Sequence, residues 1–127
     1  MDYLKVLTYM IAINTTVPPG LNYPQMMDYL EPLFADAGFQ TQKVPIPKEI
    51  AGGKIDRVNL LAHRRNPGKP RLIFYGHIDV VPAQGWDAFT PRVENGRVYG
   101  RGASDMKGGI AALLLAILFG ALIGSAI

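Results

Sequence analysis

Two short polar segments of this chain contain residue types that metal-dependent hydrolysis requires. In the first, Gly76–Pro82, His77 and Asp79 lie two positions apart, directly after the apolar run Leu72–Tyr75. Alternate residues of an extended chain point to the same side, so we expect the Asp79 carboxylate to lie beside the His77 ring. Such a carboxylate fixes the tautomer of a histidine ligand and makes the ring more basic. A polar strand end without any ligand is the simpler interpretation of this pair alone.

The second segment, Gly100–Gly108, places Asp105 among glycines at the start of a predicted helix. A carboxylate in that position is a good N-cap, which would explain it without a ligand. Lys107, close to the same helix end, is unfavourable for the helix dipole, so capping explains the segment incompletely. A carboxylate that bridges two divalent cations would also require such a tightly turned backbone.

The elements that must position these segments follow from apolar spacing and turn residues. In chain order we predict helices at Tyr3–Ile13 and Pro24–Ala37, strands at Gln40–Val44, Val58–Ala62 and Arg71–Tyr75, a hairpin at Val93–Tyr99 and a helix from Met106 to Ala116. The third strand is expected to be buried, Pro32 allows a kink in the second helix, and Pro45–Lys54 is expected to be a loop. This order predicts an α/β fold, with helices packed on a mixed sheet.

Composition limits the chemistry further. The 127 residues include no cysteine, so a metal would be held by histidine and carboxylate ligands, and the chain suits a reducing cytoplasm. The net charge is +3, and the densest basic stretch, His63–Arg71, has no interleaved aromatic residues. We therefore interpret that stretch as a solvated loop and expect no nucleic-acid binding.

The C-terminal stretch Gly108–Ile127 contains no charged residue and is about as long as a bilayer-spanning helix. We favour a buried helix that ends near Ala116, which divides the chain into a domain at 1–116 and an apolar tail at 117–127. A membrane anchor is the less favoured interpretation. The sequence leaves open whether the tail arises from a frameshift, a truncation or an anchor.

Three segments in order, Gly76–Pro82, Trp86–Pro91 and Gly96–Gly108, resemble the zinc-dependent peptidase and deacylase family. That family includes acetylornithine deacetylase, succinyl-diaminopimelate desuccinylase, aminoacylase and glutamate carboxypeptidase. The similarity extends from about Val58 to Ala116, and Asn14–Gly20 looks like the opening loop of the family. The resemblance implies the N-terminal part of a zinc-peptidase-like catalytic domain, truncated before the later strands and the lid domain.

The resemblance also implies roles for single residues. His77 would bind one of two zinc ions, for which cobalt can substitute, and Asp105 would bridge both. Asp79 would be the catalytic carboxylate that orients His77 and tunes the general base. The peptide bond after Asp105 would be cis. The substrate would be a small N-acyl amino acid or peptide, whose amide carbonyl is attacked by a metal-held water.

One departure from the family pattern limits these expectations. The family has a Glu-Glu pair shortly after the helix, whereas no Asp or Glu follows Asp105 here, and the only other histidine is His63. We therefore expect this chain alone to be inactive and not to form the homodimer of the intact family. A non-catalytic remnant or a membrane-tethered module of the same fold remains the alternative.

Overall fold

The computed structural model describes residues 2–53 and 56–124. Within these ranges the chain contains both helices and short strands, which confirms the predicted α/β class. The helices are α1 (Tyr3–Ala12), α2 (Tyr23–Asp36), α3 (Lys48–Ala51) and α4 (Lys107–Gly124). The strands are β1 (Gln40–Pro45), β2 (Val58–His63), β3 (Arg92–Glu94) and β4 (Arg97–Tyr99).

The core is one cluster of buried apolar residues contributed by α1, α2 and α4. Asp2 caps α1, its carboxylate accepting hydrogen bonds from the N–H groups of Leu4 (3.0 Å) and Lys5 (3.3 Å). The buried apolar residues of the core are Val6, Leu7, Met10, Ile11, Ile13, Met26, Met27, Leu30, Ile110, Ala111 and Leu114.

The strands form two separate antiparallel pairs. β1 pairs with β2 in the register that joins Gln40 to His63, and β2 turns alternate residues towards the helical core. β3 and β4 form the predicted hairpin, in which Asn95 and Gly96 have the positive φ angles (51° and 73°) of its tight turn. Parallel pairing in the described residues is limited to one bridge, between Thr16 and Val80.

Two sequence predictions need correction. The predicted loop Pro45–Lys54 contains the short helix α3. Helix α4 continues past Ala116 to Gly124, whereas the division of the chain into residues 1–116 and 117–127 stays a prediction. Helix α2 is continuous through Pro32. Among the described residues, no helix is long and apolar enough to cross a membrane.

The prediction of a buried strand at Arg71–Tyr75 is wrong. These residues belong to no strand, and their apolar side chains lie in solvent, with Leu72 at 79% and Ile73 at 87% exposure. Local sequence favours an extended chain here, but a strand also needs a neighbouring strand and a covering layer. The part of the chain that the structure describes provides neither for this segment.

Candidate functional site

The structure brings His77, Asp79 and Asp105 together at one open edge of the molecule. Nε2 of His77 lies 3.1 Å from Oδ1 of Asp105, although 28 positions separate the two residues in the sequence. The Asp105 side chain is 86% exposed and that of His77 is 36% exposed. The described contacts of the Asp105 carboxylate thus lead to the imidazole rather than to the amides of a helix cap.

The other ring nitrogen of His77 is held by Asp79. Nδ1 lies 3.1 Å from the backbone oxygen of Asp79 and 3.4 Å from its carboxylate oxygen Oδ1. A carbonyl oxygen can only accept a hydrogen bond, so Nδ1 must carry the proton in this contact. The unprotonated Nε2 of a neutral ring then points towards Asp105.

Asp79 also lies near the first residue of α2. Burial raises the pKa of the Tyr23 phenol above its ordinary value, and the negative charge of Asp79 adds to the rise, while the Arg57 guanidinium opposes it. The ring of Tyr23 lies against Gly20 in the preceding loop.

The turn that carries Asp105 is closely packed. The peptide bond between Asp105 and Met106 is cis, which confirms the sequence expectation. The Met106 sulfur accepts a hydrogen bond from the His77 backbone N–H at 3.3 Å. Gly102 has φ of 82°, and a Cβ at this position would lie 2.8 Å from Val80, so only glycine fits this approach.

Two fully buried polar side chains lie next to the site. The Thr15 hydroxyl donates to the backbone oxygen of Ile78 at 2.6 Å, and the Lys107 amine donates to the backbone oxygen of Ile13 at 2.8 Å. Burial lowers the pKa of Lys107 to about 8. The sequence indicates neither role: Thr15 stands there only within the loop Asn14–Gly20, and Lys107 only as an unfavourable charge near a helix start.

In the aromatic loop between the two site segments, Trp86 is half exposed, and Ala88 is the buried residue of the loop. The Arg101 guanidinium lies 5.5 Å from the centre of the Trp86 ring and donates to the backbone oxygen of Pro82 at 3.2 Å. The indole thus covers an arginine beside the site instead of filling the core.

A divalent cation fits the space between His77 and Asp105, but its ligand set is incomplete. Two ligand atoms at about 2.0–2.2 Å from one tetrahedral zinc are about 3.3–3.6 Å apart, slightly more than the 3.1 Å between Nε2 and Oδ1. The described ranges contain no group of three or more His, Cys, Asp or Glu residues able to hold an ion. Catalytic zinc uses about three protein ligands, so no reaction step follows from these residues alone.

Comparisons with known proteins agree with this geometry. Residues 73–118 match the peptidase family M20/M25/M40. Over 122 residues the chain is 48% identical to the succinyl-diaminopimelate desuccinylase of Rhodopseudomonas palustris (strain BisB5), a match that covers 92% of this chain and 30% of that enzyme. The desuccinylase of Anaplasma marginale (strain Florida) is 42% identical over 92 residues, which cover 70% of this chain and 23% of the enzyme.

The backbone is similar to that of human carnosine dipeptidase 1, with a TM-score of 0.77 and 27% identity, over 96% of this chain and 28% of that one. The chain therefore spans less than a third of the length of these relatives. Sequence and backbone agree: the chain is similar to the peptidase family M20/M25/M40 over residues 73–118, and to part of each of these enzymes over most of its own length.

Proposed function

We propose that this chain carries part of the active site of a metal-dependent amidohydrolase that removes the acyl group of small N-acyl amino acids. N-succinylated diamino acids are the first substrate class to test, because the similar bacterial enzymes are succinyl-diaminopimelate desuccinylases. A small peptide is the second class, since the similar human structure is a dipeptidase.

One observation carries this proposal. Nδ1 of His77 donates to the Asp79 backbone oxygen, so whenever the ring is neutral Nε2 has only a lone pair to offer Asp105. Two acceptor atoms 3.1 Å apart repel each other unless a proton or a cation lies between them. A divalent cation bound by both atoms satisfies this geometry, and zinc or cobalt accepts both imidazole and carboxylate ligands.

In this proposal His77 and Asp105 hold the cation, and Asp79 is the residue that orients the imidazole. A bound zinc ion polarises an amide carbonyl and lowers the pKa of a bound water. The chain contributes the ring tautomer through the Nδ1 contact with Asp79, and the side-chain separation through the turn at Asp105. Loss of a group that hydrogen-bonds to a metal ligand typically lowers metal affinity by about 10-fold to 100-fold.

We further propose that the 127 residues alone do not hydrolyse amides. No carboxylate follows Asp105 in the sequence, so the chain has no further acidic residue on α4 to serve as a third ligand or a general base. A two-ligand site should bind a divalent cation weakly.

Metal binding by the purified chain tests the ligand assignment. We expect weak binding of one Co²⁺ per chain in a calorimetric titration, and loss of that binding in His77→Ala and in Asp105→Ala. His63→Ala is the matched control, because His63 is an exposed histidine at the end of β2. Binding that His63→Ala abolishes and His77→Ala leaves intact would refute the assignment.

Hydrolysis tests the function itself. The purified chain with Zn²⁺ or Co²⁺ should release no succinate from N-succinyl-diaminopimelate above the rate of buffer and metal alone. A chimera that carries this chain in place of the aligned segment of the BisB5 desuccinylase should be active, and His77→Ala should abolish its activity. An inactive but folded chimera contradicts the substrate class, and an active chain alone contradicts the proposed incompleteness of the site.

A further inference from the structure

The segment Ile13–Val17, between α1 and α2, is attached to the polypeptide around His77. The Thr15 hydroxyl donates to the backbone oxygen of Ile78 at 2.6 Å, between His77 and Asp79 in sequence. The backbone adds two bonds: the Val80 N–H donates to the Thr15 oxygen at 3.1 Å, and the Val17 N–H donates to the Val80 oxygen at 2.9 Å. Three hydrogen bonds thus hold this stretch against one loop.

The same segment is attached to the polypeptide around Asp105. Lys107 follows Asp105 by two positions, and its amine donates to the backbone oxygen of Ile13 at 2.8 Å. The aliphatic part of the lysine side chain lies over Gly102, where an added Cβ would be 3.1 Å from the lysine Cδ. Both halves of the site therefore bind to neighbouring residues of one short segment.

Burial indicates that these contacts are specific. Thr15 and Lys107 are the fully buried polar side chains of the described residues, and the core around them is apolar. Burying a hydroxyl or an amine costs free energy unless it is hydrogen-bonded, and apolar residues would fill the same volume without that cost. The hydrogen bond of each of these side chains joins the segment Ile13–Val17 to a part of the site.

We propose that Thr15 and Lys107 are positioning residues that fix the separation between His77 and Asp105 by tying both to the segment Ile13–Val17. This inference rests on the proposed function, because the separation matters only if the two side chains share a cation. Neither residue touches the cation in this proposal. Each acts through the backbone that carries a ligand.

Co²⁺ titration of the full 127-residue chain tests the proposal. Thr15→Val, which keeps the shape and loses the hydroxyl, should weaken Co²⁺ binding by about tenfold, at the low end of effects from groups behind a ligand. Lys107→Met should act in the same direction, and Thr15→Ser should restore affinity to within twofold of the wild type. Thr8→Val is the matched control, because the Thr8 hydroxyl also donates to a backbone oxygen, that of Leu4 at 2.7 Å, outside the site. Equal affinities of Thr15→Val and Thr8→Val would overturn the proposal.

A second measurement does not depend on the metal. At fixed pH, the ¹⁵N chemical shifts of the His77 ring should change in metal-free Thr15→Val and stay as in the wild type in Thr8→Val. Unchanged shifts in a folded Thr15→Val contradict the positioning role. If that variant does not fold, the wild-type Thr15 hydroxyl proton provides the test: it should exchange slowly and show an NOE to Ile78, and its absence from the spectrum contradicts the proposal.

The two measurements separate this inference from the function on which it rests. A wild-type chain without His77-dependent Co²⁺ binding would remove the proposed function, whereas the ring shifts would still judge the positioning role. Co²⁺ binding that depends on His77 but not on Thr15 or Lys107 would keep the function and remove the positioning role.

Discussion

The polypeptide on the two sides of His77 is held in opposite ways. After the histidine, residues 78–80 are bound by three hydrogen bonds to the Thr15–Val17 loop, and Val80 is buried. Before it, Arg71–Tyr75 has no strand partner among the described residues, and Ile73 is one of its exposed apolar side chains. Among the described residues, the chain is therefore fixed by hydrogen bonds after His77, whereas Arg71–Tyr75 before it has no strand partner.

The difference shows what each kind of contact requires. The hydrogen bonds after His77 come from the loop that follows α1, so the described chain supplies both partners. A strand before His77 requires backbone partners on its edges and an apolar layer on its faces. Among the residues that the structure describes, Arg71–Tyr75 has neither.

The largest expected effect on the free energy of unfolding comes from a leucine-to-alanine substitution made once in the core and once in Arg71–Tyr75. Leu114→Ala, at a fully buried position between α1 and α4, should lower the free energy of unfolding by about 2–5 kcal/mol. Leu72→Ala, at an exposed position of the unpaired segment, should change it by less than about 0.5 kcal/mol. Urea denaturation followed by circular dichroism measures both. A loss at Leu72 as large as that at Leu114 would mean that Arg71–Tyr75 is packed in solution, and the comparison would fail.

A smaller effect concerns the turn that carries Asp105. A Cβ at Gly108 would collide with the backbone oxygen of Ala103, so Gly108→Ala should destabilise the chain by about 1–3 kcal/mol. Gly120→Ala, in the same helix with nothing within 4 Å of the added carbon, should instead stabilise it by about 0.5–1 kcal/mol. Thermal unfolding of the two variants reports the signs. If both variants were more stable than the wild type, the turn that carries Asp105 would have room to move, and its backbone would not be rigid.

Part of the fold and of the candidate site can be predicted from local sequence. The helices α1 and α2, the hairpin at Asn95-Gly96 and the approach of His77 to Asp79 depend on spacing and turn residues within short stretches, and the structure agrees with each. The approach of Asp105 to His77 was expected only through the family resemblance. No local pattern spans the 28 positions between them.

What sequence missed depends on contacts between distant residues. The apolar run at Arg71–Tyr75 predicts a buried strand by composition, but burial depends on a covering layer that a local pattern does not contain. Lys107 was judged by its position on the helix, and its bond to the Ile13 oxygen joins residues 94 positions apart. The charge of a residue indicates that it needs a partner, but it does not identify the partner.

A third prediction concerns the stability of α1, whose C-terminal end leads into the segment Ile13–Val17. Asp2→Ala removes the N-cap of α1 and should cost about 1 kcal/mol of unfolding free energy. Asp2→Asn is the matched control, since asparagine also caps helices and should cost much less. Chemical denaturation measures the pair. Equal losses would assign the effect to charge rather than to the cap.

The smallest effect should come from a surface network remote from His77. Lys43 lies 2.6 Å from the Asp28 carboxylate and 2.7 Å from that of Glu31, and its hydrogen bond lowers the pKa of Glu31. A carboxyl group with a lowered pKa stabilises the folded chain above its ordinary pKa, and the contribution disappears as pH falls through the folded value. Between pH 7 and pH 3 the wild type should therefore lose slightly more stability than Lys43→Met, and high salt should shrink the difference at pH 7.

The same network provides a control for the Co²⁺ affinity of the variants in the loop after α1. Lys43→Met should leave Co²⁺ affinity at the wild-type value, because the network joins α2 to β1 and has no described contact with the segments 13–17, 76–80 or 102–107. If it weakened Co²⁺ binding as much as Thr15→Val, any loss of stability would be enough to disturb the site. If only Thr15→Val and Lys107→Met weaken binding, the hydrogen bonds to the loop after α1 set the site geometry, and general stability does not.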